Sequence, residues 1–251
     1  MALNKAKVLT VTSVKGGVGK TTTLISLAGI LSKMGKKTLI IDLDFYGSSV
    51  CAMMNVDYKV DIYNLFEDIS NKNFGNISDY VYKYNDFIDV LPSVKDLRNA
   101  KKINSRIINT ILYKAIVKYD VVLIDTNHML NDINLLAFDN SDTILYVINN
   151  DSMNLKNMRS VVAILNDMQA NNYKILLNNS VSRDRNYFNE YEIKSIIGKD
   201  IDYKIGYSMH IKNIDKYIVE GKVFTLDDKI YKLKDCKVYN KIIDDFIKGE
   251  R

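Results

Sequence analysis

The chain of 251 residues predicts one α/β domain, residues 1–251, with a doubly wound, mostly parallel β-sheet and helices on both faces. Three observations carry that prediction. Short apolar, β-branched runs recur from end to end, as strands covered on both faces require. Segments with helical spacing separate them, so successive strands are joined by right-handed crossovers. The first run passes through a glycine-rich turn into a helical pattern.

The first strand is expected at residues 8–12. A helix follows the turn, with Leu24, Ile25, Leu27, Ala28, Ile30 and Leu31 along one face. Residues 38–41 read as the second strand. Residues 68–85 are polar and tyrosine-rich and read as a surface excursion. Strands are expected at 88–91, 121–124, 144–148, 174–177 and 202–205. Helices are expected near 105–117, 155–168, 191–197, 211–220 and 238–247, with Ser152 as a cap. There is no internal repeat and no long linker. Ligands of such sheets gather at the carboxyl ends of the strands, and each polar motif falls at such an end.

The turn reads Lys15-Gly16-Gly17-Val18-Gly19-Lys20-Thr21-Thr22. Glycines let the backbone approach a polyphosphate, and the helix start adds free N–H donors. Lys20 is placed to reach β- and γ-phosphates, and the Thr21 hydroxyl to ligate Mg²⁺. The common phosphate-loop pattern would put glycine where Val14 stands. Lys15, five residues before Lys20, is poorly placed for the same cradle and better placed to point at a neighbouring subunit.

Asp42 and Asp44 follow the second strand, and alternation puts them on one side if the strand runs that far. One carboxylate near Mg²⁺ and another near an attacking water suit phosphoryl transfer to water. Asp125 follows four apolar residues, the pattern of a strand-end metal carboxylate. After it, Asn127-His128 stands without prolines, which predicts a mobile loop, and His128 reads as a solvated loop histidine. Asn178 follows the strand at 174–177. Its amide offers a donor and an acceptor, as an adenine edge requires; a plain turn asparagine is the alternative.

Composition narrows the classes. The net charge of +5 admits DNA or anionic lipid without demanding either. Cys51 and Cys236 lie far apart with no C-x-x-C, against structural zinc or iron–sulfur ligation. The start lacks a signal-peptide pattern, and no apolar stretch approaches the ~20 residues of a membrane span. A reducing cytoplasm is the expected location.

The run K-G-G-V-G-K-T-T resembles the deviant Walker A motif of the ParA/MinD ATPases, and the likeness covers most of the chain from Val8 to Ile247, specific at 15–22, good at 42–44 and 120–125, and loose beyond 180. It implies ATP with Mg²⁺, and a homodimer that sandwiches two nucleotides. Lys15 would touch the partner's ATP, and Lys20 would serve its own. Asp44 would position water in switch I, and Asp42 and Asp125 would support the metal. Asn178 would contact the base; it lacks the N-K-x-D run that GTP would want. The sequence departs from the family at Phe45-Tyr46, where partition members carry Pro-Gln, at Asn127-His128, and at Gly206 in place of proline. A partner protein that stimulates slow hydrolysis is implied.

Within the family, the ParA branch grips non-specific DNA through basic residues of the C-terminal third. The candidates are Arg183, Arg185, Lys212, Lys216, Lys232 and Lys234, with Tyr231 able to pack on sugar or base. The alternative is a MinD-like or TadZ/CpaE-like regulator at a membrane or cell pole. The final helix carries Val238, Ile242, Ile243, Phe246 and Ile247 on one face, but its polar face mixes lysine with aspartate, which suits core packing better than lipid.

Overall fold

The computed structural model describes residues 5–180 and 187–249. Among them lie eight strands: β1 (Lys7–Thr12), β2 (Thr38–Asp42), β3 (Tyr82–Lys83), β4 (Ile88–Leu91), β5 (Val121–Asp125), β6 (Thr143–Ile148), β7 (Tyr173–Asn178) and β8 (Tyr203–Ile205). They form one sheet in the order β3-β4-β2-β5-β1-β6-β7-β8, parallel throughout except for β3. β1 sits between β5 and β6, so the chain leaves it in opposite directions on its two sides. That reversal opens the crevice where the glycine turn lies.

Side-chain alternation divides the core between the two faces. Leu9, Val11, Ile40, Leu123, Leu145 and Leu176 face α1 (Lys20–Lys33) and α10 (Cys236–Lys248), with α2 (Ser49–Met53), α8 (Ile214–Val219) and α9 (Asp228–Tyr231) at the margin. Val8, Leu39, Ile41, Val122 and Ile124 face α3 (Ile62–Ser70), α4 (Ile107–Ala115) and α5 (Asp132–Asp139). Ile144, Tyr146, Ile148, Ile175 and Leu177 face α6 (Ser152–Asp167) and α7 (Glu190–Ile197).

The expected strands all form, within a residue or two of their predicted ends. Four readings need correction. Helix α1 is buried on every side from Thr23 to Ser32, not along one face. The C-terminal segment covers its outer side: Thr225 Oγ1 donates to Ser26 O at 2.7 Å, and a Cβ on Gly29 would lie 2.7 Å from Val223 Cγ1 and closer still to Thr225 Oγ1. Residues 68–85 are no mere excursion, because they end α3 and supply the antiparallel edge strand β3. Asp151, not Ser152, caps α6 by accepting from Asn154 N at 2.9 Å. Helix α5 follows the Asn127-His128 loop and left no clear periodic signal in its eight residues.

Candidate nucleotide site

The glycine turn joins β1 to α1. Gly17 and Gly19 hold φ of +75° and +96°, which side chains resist. At Gly19 there is also no room, since a Cβ would stand 2.6 Å from Asn178 Nδ2. Asn178 reaches the turn from the end of β7 and donates to Val18 O at 2.9 Å. Its Oδ1 accepts from Ser180 N and Oγ. Its amide thus braces the loop from behind, a use that sequence reasoning did not assign.

A cleft of about 640 Å³ opens over the turn, lined by Gly16, Gly17, Gly19, Lys20, Thr21 and Thr22 on one side. Asp44, Tyr46, Gly47, Ser49, Met53, Asn127, His128 and Met129 complete it. Lys20 is buried on its floor. The Thr21 hydroxyl donates to Asp125 Oδ2 at 2.6 Å and meets Ser49 Oγ at 2.8 Å. Asp42 and Asp125 end adjacent strands in register, and both are wholly buried. Burial pushes the Asp125 carboxyl up to about 7, against the pull of the Thr21 hydroxyl and the Lys20 ammonium. Burial and the neighbouring Asp125 charge likewise raise Asp42 well above the carboxylate range.

Asp125 Oδ1 is buried without a hydrogen-bond partner. An orphaned carboxylate oxygen beside a threonine and a serine hydroxyl makes a hard donor set that fits Mg²⁺. No group of three His, Cys, Asp or Glu side chains among the described residues is arranged to hold a metal alone. The donors therefore suit a cation that brings most of its shell as phosphate and water. Asp42 is less free, as it accepts from Asp44 N at 3.0 Å and Val50 N at 3.2 Å.

β2 ends at Asp42, so Asp44 reaches the cleft from a turn and not by strand alternation. Its carboxylate accepts from Gly47 N at 2.9 Å, and a Cβ on Gly47 would come within 2.5 Å of it. Lys15 does not line the cleft. Its half-exposed ammonium lies 3.6 Å from Asp151 Oδ2. The two lysines of the loop thus diverge.

The Asn127-His128 loop is not left loose by the missing prolines. Asn134, wholly buried in α5, donates to Asn127 Oδ1 at 2.8 Å and to Met129 O at 2.6 Å. Asn127 Oδ1 also accepts from Met129 N at 2.9 Å. His128 is exposed, yet it lines the cleft, with its Nδ1 3.9 Å from where a Gly16 Cβ would sit. Asn134 and Ser49 are site residues that the sequence reading missed. Ser49 stood two residues beyond the Asp44 turn, close enough to have been suspected.

A family model for an AAA domain matches residues 6–182. An uncharacterized ATP-binding protein of Methanocaldococcus jannaschii is 35% identical over 124 residues, 49% of this chain and 46% of its own length. The chromosome-partitioning ATPase Soj of Thermus thermophilus is 27% identical over 168 residues, 66% of this chain and 64% of its own. The matched segments thus span about half to two thirds of these relatives. A ParA family ATPase from Chlorobium tepidum superposes with a TM-score of 0.81 at 16% identity, covering 94% of this chain and 98% of that one. MinD of Pyrococcus horikoshii, solved with Mg-ADP, gives 0.77 at 20% identity, covering 97% and 98%. The chain belongs to the ParA/MinD family of deviant Walker A ATPases. The loop at residues 15–22, with its paired lysines, lies inside the segment that the family model of this ParA/MinD chain matches.

The family model ends at 182, short of the candidates for matrix contact in this ParA/MinD chain. Arg183 and Arg185 lie outside the described residues. Lys212, Lys232 and Lys234 are exposed, and Lys216 lies 3.8 Å from Glu220. Tyr231 is partly buried against the core, its ring under the Lys33 ammonium at 4.7 Å. Helix α10 buries Tyr239, Ile242, Ile243 and Phe246, and Lys7 Nζ donates to Phe246 O and Ile247 O at 2.9 Å. No helix among the described residues is long and apolar enough to cross a membrane.

Proposed function

We propose that the protein is an ATP-dependent dimerising switch that positions cargo by gripping non-specific DNA, and that hydrolysis, quickened by a partner protein, releases the grip. The divergence of Lys15 and Lys20 carries this reading. Lys20 lies on the floor of its own cleft. Lys15 is directed outward, and among the described residues its half-exposed ammonium meets an Asp151 carboxylate that a second nucleotide can replace.

In this reading Lys20 and the glycine-turn amides hold the triphosphate. Thr21, Asp125 and Asp42 would hold Mg²⁺, which would neutralise the phosphate charge when bound. Burial disfavours the ionised form of both carboxyls, and a bound cation would favour it. Asp44 orients the attacking water from the turn beside the γ-phosphate position. Asn178 touches the base only by sharing the amide that braces Val18. Covering of the α10 apolar face within the protein supports DNA over lipid as the matrix.

The test compares wild type with Lys15→Ala in light scattering with a non-cleavable ATP analogue. Wild type should dimerise; the variant should bind nucleotide and stay monomeric. A nucleotide-dependent dimer in the variant removes the trans role of Lys15. Retention on anionic vesicles, with none on plasmid DNA, replaces the partition reading with a MinD-like one.

A further inference from the structure

We infer that the connection at residues 95–106 is where this protein takes the phosphate backbone of DNA, in preference to the C-terminal lysines. The inference rests on the DNA-binding reading above and gives it a surface. Lys95, Arg98, Lys101, Lys102 and Arg106 stand in twelve residues against one acid, Asp96, a net +4 where the whole chain nets +5. All five are exposed. Asp96 is turned to Arg98, 2.6 Å from Nη2, and caps the 3-10 turn Leu97–Lys102. By contrast, residues 211–248 carry nine basic and seven acidic side chains, a nearly balanced surface. Phosphate binding gains from releasing counterions, which a concentrated run of one sign does best.

Position adds a second, independent reason. The connection leaves the carboxyl end of β4, which runs parallel to β2, so it lies on the same edge of the sheet as Asp42 and the glycine turn. There it forms one wall of a groove of about 490 Å³ with Lys101, Asn104 and Ser105. Facing them are Phe45 and Tyr46 of the Asp44 turn, and Asn127, Asn131 and Asp132 of the following loop and helix. Tyr46 and Asn127 line the nucleotide cleft as well. A nucleotide that resets these two residues resets the wall beside Lys101, and the coupling is reciprocal. Asn104 and Ser105 supply neutral hydrogen-bonding groups of the kind that position a sugar–phosphate backbone. Asp132 on the far wall keeps the groove itself from being uniformly basic. The apolar residues of the adjoining helix α4, Ile107, Ile108, Ile111 and Leu112, are buried in the protein. The segment therefore offers charge without an apolar face to insert in lipid.

The experiment measures plasmid DNA binding across a salt series with a non-cleavable ATP analogue, for wild type, Lys101→Ala with Lys102→Ala, and Lys232→Ala with Lys234→Ala. A fluorescent ATP analogue checks that each variant still folds and binds nucleotide. The first pair should flatten the slope of log affinity against log salt by about 1.8, at about 0.9 per lost phosphate contact. The second pair should leave it unchanged. A wild-type slope in the first variant, or loss confined to the second, overturns the inference. So does wild-type binding to vesicles of phosphatidylglycerol and phosphatidylcholine with none to plasmid. DNA binding that is lost in the first variant but equal with and without nucleotide upholds this surface and sinks the switch reading instead.

Discussion

Replacing Asp125 by asparagine tests how strongly the site strains the fold. Asp125 titrates near 7 in the folded chain against 3.8 for an ordinary aspartate, because burial disfavours its charge. Between those values the native state holds more protons than the unfolded state, so stability falls as pH rises from about 4 to about 7. At about 1.4 kcal/mol per pKa unit, the full penalty above pH 7 is about 4 kcal/mol. Asparagine has the same shape, carries no charge, and still accepts from Thr21 Oγ1 through its own Oδ1. Asp42 acts with the same sign, raised mainly by burial and further by the Asp125 charge, and the substitution relieves that second part. The advantage of Asp125→Asn over wild type should therefore widen by about 3 kcal/mol between about pH 5 and pH 8. Urea unfolding followed by circular dichroism, in chelator and without nucleotide, reads it directly. An advantage that does not change with pH would refute the buried-charge account, and with it the claim that this carboxylate awaits a cation.

Three other outcomes follow from the geometry. Gly29→Ala gains ~1 kcal/mol of helix propensity, but its Cβ collides with Val223 and Thr225. Overpacking of that kind costs ~1–3 kcal/mol, and the Thr225 bond to Ser26 is strained besides. Set against that gain, a net loss of roughly 0–2 kcal/mol, larger by whatever the strained bond adds, is expected in urea unfolding, and a more stable variant would show that the C-terminal cover is looser than described. Asn134→Ala deletes the two donations that hold Asn127 and Met129, so it should cost about 1–3 kcal/mol and raise hydrogen exchange at residues 127–130; unchanged exchange there counts against the clamp. Asp44→Ala should bind ATP and accumulate the dimer while phosphate release drops at least tenfold, about 1.4 kcal/mol in barrier; turnover at the wild-type rate excludes Asp44 from water activation.

The loop and the strand-end acids were legible in sequence because their chemistry is contiguous. Eight residues supply the glycines, the ammonium and the hydroxyl, and no distant partner is needed to recognise them. Apolar runs gave the strands for the same reason: a strand buried on both faces must be apolar at every position. Where periodicity failed, the elements were short or wholly enclosed. Helix α5 has eight residues, and α1 shows no polar face because residues 223–246 cover the side that solvent would otherwise take.

The sequence by itself determined the fold class and the glycine turn with its lysine and hydroxyl, since both are written in residues close together along the chain. Tertiary structure alone decided that Asn134 stands in for prolines, that Asn178 braces Val18, that Tyr231 turns inward, and that Lys15 leans on Asp151 away from Lys20. An asparagine amide bonds equally well to a turn, a loop or a base, and a lysine's neutral stem lets its charge point wherever a partner lies. Only the approach of segments far apart in sequence selects among those options.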